Sequence, residues 1–291
     1  MLTRRSLILG GAALLGGGAI ASACGSDRRD AGRDGDAPLP DGLALVQRFP
    51  QVLVTGDVRM PVSLATDDGL LADGVPDELV ARLVESQSGS VVAERIVARR
   101  HGDGLAAPYW PFRAVVDAPG TYVLQVEGQE DGASLQVASP GMVAVPGAGD
   151  PMPPFDTPTT ADPRGVDPIC TRAPEPCPLH DLTLTEALAL GRPLAYLVGT
   201  PAFCSTGTCA PALEGLLAVR ERVGGAMAFV HADVYTDRTA STVAPAVQAL
   251  GMTFEPALFL VAANGTVAER LDAVFDEAEI DERLAALGLV S

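Results

Sequence analysis

Segment 42–138 contains short runs of hydrophobic and polar residues that predict strands, and two of these runs alternate with the period of two that half-buried strands show. The alternation is clearest at 121–127 and 133–137. Further strand candidates lie at 51–55, 60–65, 79–84, 91–98 and 111–116. About six to eight short strands separated by turn residues predict an antiparallel β-sandwich.

Apolar runs and helical periodicity alternate in segment 169–291. A strand-length apolar run at 193–199 precedes an amphipathic helix at 210–223. The other predicted elements are a strand at 226–233, a helix at 241–250, strands at 257–262 and 266–271, and a helix at 277–287. Asn264-Gly265 between the last two strands is the strongest two-residue hairpin signal. This order predicts a mixed α/β domain with one parallel strand pair.

Two segments without apolar periodicity divide the chain. Residues 25–41 are polar and glycine-containing, which predicts a flexible tether. Residues 139–168 hold 8 Pro and 4 Gly among 30 positions, which predicts an extended linker outside any core. The expected organisation is therefore a leader at 1–24, the tether, a β-sandwich domain at 42–138, the linker and an α/β domain at 169–291.

The first 24 residues have the features of an export signal. Arg4-Arg5 precedes an apolar, glycine-rich run at 7–21, which is short for a membrane-spanning helix. Residues 21–24, Ala-Ser-Ala-Cys, resemble a bacterial lipobox that lacks its usual first Leu, and the resemblance makes Cys24 the lipidated residue. The Arg-Arg pair resembles a twin-arginine signal. We expect a lipid-anchored protein on the extracytoplasmic face of the cell membrane, with an uncleaved helical anchor as the alternative.

Charge excludes some partner classes. The net charge is −17, with 37 acidic and 20 basic side chains, and every basic one is Arg because the chain contains no Lys. Such a surface repels nucleic acid phosphates, so we expect no nucleic acid partner. It also repels anionic lipid, so contact with the membrane would depend on the lipid anchor.

Cys204 and Cys209 lie between the first strand and the first helix of the α/β segment. Residues five apart in a helix lie about 7.5 Å apart along its axis and point about 140° apart, whereas a disulfide needs Cα atoms within about 7 Å. Pro211 favours a helix start close to it, so we predict that the pair occupies a loop that can close on itself. A helix N-terminus lowers a nearby cysteine's pKa. We therefore predict Cys204 as nucleophile and Cys209 as resolving cysteine.

Two prolines stiffen the short loop between Cys170 and Cys177, which favours a structural disulfide there. In an oxidising compartment the Cys204–Cys209 pair could also be only a structural staple. Four cysteines allow three connectivities, so both pairings are predictions from proximity.

The element order, a cysteine pair after the first strand, Glu255-Pro256 before the hairpin and Cys-Pro-Leu-His at 177–180 together resemble the thioredoxin-like superfamily, in particular exported lipoproteins of GC-rich bacteria. The resemblance implies a cis Pro256 beside the reactive cysteine that presents backbone to an extended substrate. It implies thiol–disulfide exchange with extracytoplasmic proteins and an electron donor or acceptor, without a cofactor. Segment 117–124 resembles the corner of an immunoglobulin-like sandwich, in which the Tyr122 hydroxyl bonds to upstream backbone.

The chain departs from the thioredoxin-like pattern in one respect. The family often buries an acid and a Lys behind the cysteine pair, but this chain lacks Lys, and strand 193–199 carries no carboxylate. The alternative function from another class is a non-catalytic binding or scaffold lipoprotein with structural disulfides.

Three less favoured interpretations use the same region or the aromatic patch. A thiol peroxidase can space its cysteines similarly, but it needs Thr where this chain has Pro201. Cys204, Cys209 and His231 could bind copper or zinc, although a core histidine is commoner at mid-strand, and we assign no metal ligand. The aromatic patch 108–112 is either a docking surface or, as we favour, a segment that precedes a strand and packs over one end of the sandwich, since large aromatic side chains usually lie in cores.

Overall fold

Strands account for most of the regular structure. The computed structural model describes residues 43–50, 52–129 and 132–290. Over these residues, thirteen strands form three sheets and accompany four α-helices. Nine strands precede the first helix: β1 (Ala44–Gln47), β2 (Val52–Val54), β3 (Gly56–Thr66), β4 (Gly69–Leu70), β5 (Glu78–Glu85), β6 (Val91–Arg99), β7 (Trp110–Val116), β8 (Gly120–Val126) and β9 (Ala133–Ala138).

The first nine strands form two sheets, called here the N-terminal sheets. In one sheet β3 pairs with β1, β4 and β7, and the other has the order β2-β9-β8-β5-β6. All of these pairs are antiparallel except β2 with β9. Every second residue of β9 is buried, as its sequence alternation predicts. The inward side chains of both sheets form one hydrophobic core, drawn entirely from residues 53–137.

The aromatic patch 108–112 lies inside this part of the protein. Tyr109, Trp110 and Phe112 are fully buried, and Trp110 and Phe112 belong to the core of the N-terminal sheets. The favoured interpretation of the patch as a packed structural segment is therefore confirmed, and the docking-surface interpretation is wrong.

The remaining strands form one further sheet, called here the C-terminal sheet. The elements from residue 184 onward are α1 (Leu184–Ala189), β10 (Leu194–Val198), α2 (Cys209–Val223), β11 (Ala228–Ala232), α3 (Pro245–Leu250), β12 (Ala257–Val261), β13 (Val267–Asp272) and α4 (Glu277–Ala286). The strand order is β11-β10-β12-β13. β10 and β11 are parallel, as predicted, and the other two pairs are antiparallel.

Helices cover both faces of the C-terminal sheet. Every residue of β10 and β12 is buried, which is typical of strands with packing on both sides. Alternate residues of these strands enter two cores: Tyr196 packs with residues of α1 and α3, and Leu197 packs with residues of α2 and α4.

The segment 139–168 is not a linker outside the cores, and this prediction is wrong. Val145 and Met152 are buried in one core of the C-terminal sheet. The Met152 amide donates to the Gly265 carbonyl at 2.8 Å, and the Val267 amide donates to the Asp150 carbonyl at 2.9 Å. The high Pro and Gly content led to the linker prediction. The apolar side chains of the segment are nevertheless buried, and their burial stabilises its position although it forms no regular secondary structure.

Three elements were not predicted: α1 and the short strands β1 and β4. The helix predicted at 241–250 begins only at Pro245. The start of α1 does have a sequence signal, because Thr183 and Glu186 form a capping box in which each side chain accepts a hydrogen bond from the other residue's backbone N–H.

The predicted leader at 1–24, with Cys24, and the predicted tether at 25–41 lie outside the described residues. Of the helices in the described part of the chain, none has the length and apolarity that a membrane span requires.

A buried ion pair joins the N-terminal sheets to the last helix. The Arg59 guanidinium on β3 donates to both carboxylate oxygens of Glu279 on α4, each at 2.6 Å. The same guanidinium donates to the carbonyls of Asp272 and Val274, and the Tyr109 hydroxyl donates to Glu279 at 2.7 Å. Arg59 and Glu279 are 8% and 2% exposed, so each charge depends on the other for compensation.

Arg59→Met should lower the free energy of unfolding by about 3–5 kcal/mol, because it leaves the Glu279 carboxylate buried without its cation. Urea unfolding of the full chain measures the loss. Adding Glu279→Leu to Arg59→Met should restore part of the stability, since no buried charge then remains.

The matched control is Arg99→Met, which removes an exposed ion pair with Glu78. We expect a change within about 0.5 kcal/mol there. Equal losses in the two single variants would contradict the role assigned to the buried pair.

Candidate active site

The loop after β10 carries the Cys204–Cys209 pair. Residues 199–208 connect β10 to α2, and α2 begins at Cys209, one residue before the predicted start. The Cys204 amide donates to the Thr200 carbonyl, and the Gly207 amide donates to the Cys204 carbonyl, which closes a tight turn. Gly207 has φ of 68°, a conformation that glycine adopts without steric cost. The pair therefore lies where the sequence predicts it.

The Cys204 sulfur is surrounded by hydrogen-bond donors. Interactions with the Cys209 thiol, the Thr206 hydroxyl at 3.2 Å and the first amides of α2 lower the pKa of Cys204 to about 4, although burial opposes the shift. The positive end of the α2 dipole acts in the same direction. Cys204 is also partly exposed, and the lowered pKa favours its thiolate form at neutral pH.

Cys209 is the proton-bearing member of the pair. Its hydrogen bond to Cys204, its burial and the negative charge of Glu255 raise the pKa of the Cys209 thiol. The Cys209 sulfur lies 3.3 Å from Glu255 Oε2. Since a thiol has one hydrogen, Cys209 donates either to the Cys204 sulfur or to the Glu255 carboxylate.

Glu255 places a carboxyl group beside the cysteine pair, although strand 193–199 carries none. Its carboxylate oxygen and the two sulfurs all lie within 4.8 Å of one another. Burial raises the pKa of Glu255 to about 7, although the Thr200 amide donates to this carboxylate at 2.9 Å. This carboxyl group comes from the residue before Pro256 and not from strand 193–199.

The Glu255–Pro256 peptide bond is cis, and Pro256 lies beside the cysteine pair. A Cβ placed on Gly199 would lie 3.2 Å from Pro256 Cβ and 3.4 Å from Cys209 Sγ, so only a glycine fits without displacing its neighbours. The Pro256 carbonyl accepts from the Ala273 amide, and proline has no N–H. Within the described residues, the backbone N–H and C=O of Glu255 next to Pro256 have no hydrogen-bond partner. The predicted role of Pro256 in presenting backbone to a substrate stays a prediction.

A buried polar network supports this loop. The Thr200 hydroxyl donates to Asp233, and Asp233 also accepts from the backbone and hydroxyl of Thr171, at 2.8 and 2.9 Å. Thr200 and Asp233 are 0% and 3% exposed. The network therefore fixes the cysteine loop to the segment that carries Cys170.

Cys170 and Cys177 form a second cluster with two histidines. The four described cysteines are free thiols in this structure, and the predicted Cys170–Cys177 disulfide stays a prediction. Ligand atoms of Cys170, Cys177, His180 and His231 all lie within 4.8 Å of one another, and all four residues are buried. Two imidazoles thus face the pair of thiols for which the sequence predicts a structural disulfide.

Charge is shared within this second cluster. The Cys177 thiol and the two histidines lower the pKa of Cys170, and the hydrogen bond to Cys170 raises the pKa of Cys177. Burial lowers the pKa of His180. Burial also acts against His231, but contact with the Cys170 sulfur raises the pKa of His231 overall.

The metal set considered from the sequence is not assembled. Nδ1 of His231 lies 3.4 Å from Cys177 Sγ and 3.7 Å from Cys170 Sγ, so it belongs to the second cluster rather than to Cys204 and Cys209. His180 was missed as a cluster member, although Cys-Pro-Leu-His at 177–180 was its sequence signal.

No protein-family model, curated protein or solved structure matches this chain.

The rate at which iodoacetamide alkylates Cys204 should be almost independent of pH from about 5 to about 8, because a thiol with a pKa of about 4 is already ionised there. Peptide mass spectrometry of the modified chain separates Cys204 from the buried cysteines. Cys209→Ala should move the inflection to higher pH, since the Cys209 thiol is the strongest donor to Cys204.

Cys209→Ser keeps a donor at that position and should shift the inflection less. A rate that rises about tenfold per pH unit up to about pH 8.5, as for an ordinary cysteine, would show that the Cys204 thiolate is not stabilised.

Proposed function

We propose that this protein is a thiol–disulfide oxidoreductase of thioredoxin type that acts on protein substrates outside the cytoplasm. The observation that carries the proposal is the convergence of Cys204, Cys209 and Glu255. Together they provide a stabilised thiolate, a protonated resolving thiol and a carboxyl group that can exchange a proton near neutral pH.

The arrangement of elements supports a thioredoxin-like fold for segment 169–291. A four-stranded sheet has helices on both faces, the cysteine loop follows β10, and a cis proline precedes β12. For segment 42–138 we propose an immunoglobulin-like sandwich. This proposal is supported by the Tyr122 hydroxyl, which donates to the Ala118 carbonyl at 2.6 Å across the turn before β8.

In the first step, the Cys204 thiolate attacks one sulfur of a substrate disulfide. A Cys204–substrate disulfide forms, the substrate S–S bond breaks, and the second substrate sulfur leaves as a thiolate that takes up a proton. The site favours this step because Cys204 is ionised and is the more exposed of the two cysteines.

In the second step, Cys209 resolves the mixed disulfide. Glu255 takes the proton of the Cys209 thiol, and the resulting thiolate attacks the Cys204 sulfur. The Cys204–Cys209 disulfide forms, and the substrate leaves as a thiolate that takes the proton back from Glu255. The substrate is reduced by two electrons and the pair is oxidised by two; the reverse sequence oxidises a substrate dithiol.

Substrate presentation would use the backbone beside the pair. The unpaired backbone groups of Glu255 can pair with an extended substrate segment next to Cys204. Phe203 is half-buried against Tyr235, with ring centroids 6.3 Å apart, and offers apolar surface beside the nucleophile. These features favour a polypeptide substrate over a small thiol.

The proposed location is the extracytoplasmic face of the cell membrane, with lipidated Cys24 as the anchor. The proposal rests on the sequence of residues 1–24. The N-terminal sheets would act as a spacer or partner-binding module, and the electron donor or acceptor would be another dithiol protein.

The Cys204–Cys209 couple should titrate with a midpoint potential between about −270 and about −120 mV, the range of known thiol oxidoreductases. Equilibration in thiol–disulfide buffers, alkylation and peptide mass spectrometry give the potential of this pair separately from Cys170 and Cys177. A midpoint below about −300 mV is typical of structural disulfides. It would contradict exchange and favour the scaffold alternative.

Cys209→Ser should accumulate mixed disulfides on Cys204, because nothing resolves them. In a chain that keeps Cys209, Glu255→Gln should lengthen the lifetime of the Cys204–substrate disulfide by about 10²-fold or more, since a positioned general base contributes about that much. Stopped reactions with a disulfide-bonded peptide, separated without reductant, measure both effects.

Cys204→Ser is the matched control and should trap nothing. Mixed disulfides that form on Cys209 or on the second cluster in that control would reject the assignment of Cys204 as nucleophile.

A further inference from the structure

A second cluster, of two thiols and two imidazoles, is buried apart from Cys204. It consists of Cys170, Cys177, His180 and His231. His231 Nδ1 lies 3.4 Å from Cys177 Sγ, 3.7 Å from Cys170 Sγ and 3.2 Å from His180 Nε2. The four residues are 0–4% exposed. The proposed exchange reaction uses none of them.

Hydrogen bonds alone do not account for this convergence. His231 Nε2 lies 2.9 Å from the Gly199 carbonyl and must donate to it, so Nδ1 of a neutral His231 carries a single lone pair. That lone pair can accept one hydrogen, yet two sulfurs and one imidazole nitrogen approach it. In the described part of the chain, Nδ1 of His180 has no hydrogen-bond partner, so the polar contacts of this imidazole are those that Nε2 makes in the cluster.

The distances fit the edges of a tetrahedron around one metal ion. Bonds of about 2.3 Å to sulfur and about 2.0–2.1 Å to nitrogen require sulfur–nitrogen edges of about 3.5 Å and a nitrogen–nitrogen edge of about 3.3 Å. The observed edges are 3.4, 3.7 and 3.2 Å. We propose that Cys170, Cys177, His180 and His231 form a structural zinc site.

Charge and burial favour Zn²⁺ over Cu⁺. Two thiolates and two neutral imidazoles around Zn²⁺ give a neutral complex, whereas Cu⁺ leaves one negative charge in a site without solvent contact. The carboxylate of Asp233, itself buried near His231, adds to the cost of any net negative charge. Four protein ligands also leave no open position, which is typical of structural rather than catalytic zinc.

The surroundings of the cluster match those of metal ligands. The His231 Nε2–H bond to the Gly199 carbonyl fixes the tautomer that exposes Nδ1. The Cys177 amide donates to the Cys170 sulfur at 3.5 Å, and the Leu179 amide bonds to the Cys177 sulfur. Zinc would release the two thiol protons and tie segment 170–180 to β11. The site does not depend on the proposed exchange activity.

The test is the zinc content of the full chain, purified under reducing conditions without chelator. We expect one equivalent of zinc per chain by mass spectrometry. Replacement by Co²⁺ should give the visible absorption of a tetrahedral thiolate site. Cys170→Ser and His180→Gln should weaken zinc binding by more than about 100-fold in competition with a chromophoric chelator, since even outer-shell partners contribute about 10- to 100-fold.

The double variant Cys204→Ser/Cys209→Ser is the matched control and should keep one equivalent, which separates this site from the exchange pair. The wild-type stoichiometry and Co²⁺ spectrum decide the matter even if a ligand variant fails to fold. Three results would overturn the proposal. The first is metal-free wild-type protein that has a Cys170–Cys177 disulfide and binds no added zinc. The others are loss of zinc from the Cys204→Ser/Cys209→Ser control while the ligand variants keep it, and binding of copper by a chain that does not bind zinc.

Discussion

One peptide unit, between Gly199 and Thr200, holds both cysteine clusters in place. Its carbonyl accepts from His231 in the Cys170 cluster, and its N–H donates to Glu255 beside Cys209. The unit can occupy this position because Gly199 has no side chain to meet Pro256 and Cys209. It follows directly after β10, a strand buried on both faces, so the surrounding cores fix its position. The geometry of both clusters therefore depends on where one central strand ends.

The shared peptide also links the two clusters electrostatically. Hydrogen bonds in a chain polarise one another in a buried environment. Donation from His231 to the Gly199 carbonyl strengthens the Thr200 N–H as a donor, and that donor stabilises the ionised form of Glu255. Burial acts against this and raises the pKa of Glu255 to about 7. The pKa of Glu255, the proton acceptor in the proposed reaction, thus depends on His231, which takes no part in that reaction.

The elements of this fold could be predicted from sequence more fully than its contacts. Short strand-like runs located seven of the strands before residue 139, two of them by period-two alternation. The cysteine loop before α2 followed from Pro211 and helix geometry. Glu255 was missed as the acid because its position beside Cys209 depends on the pairing of β12 with β10. The Cys170 cluster was missed because His231 lies 61 residues from Cys170. The segment 139–168 was predicted to be a linker from its composition, and composition does not show that Val145 and Met152 are buried in a core. Local periodicity carries no information on which distant segments meet.

The buried ion pair between Arg59 and Glu279 ties the beginning of the fold to its end. Synthesis proceeds from the N-terminus, so β3 emerges long before the groups that accept the hydrogen bonds of Arg59. Those groups are the Asp272 and Val274 carbonyls and the Glu279 carboxylate. Until the last helix has been made, the N-terminal sheets hold a cation without its counter-charge. A nascent chain that lacks α4 therefore carries an unneutralised cation in sheets that are already synthesised, and the arrival of Glu279 neutralises it.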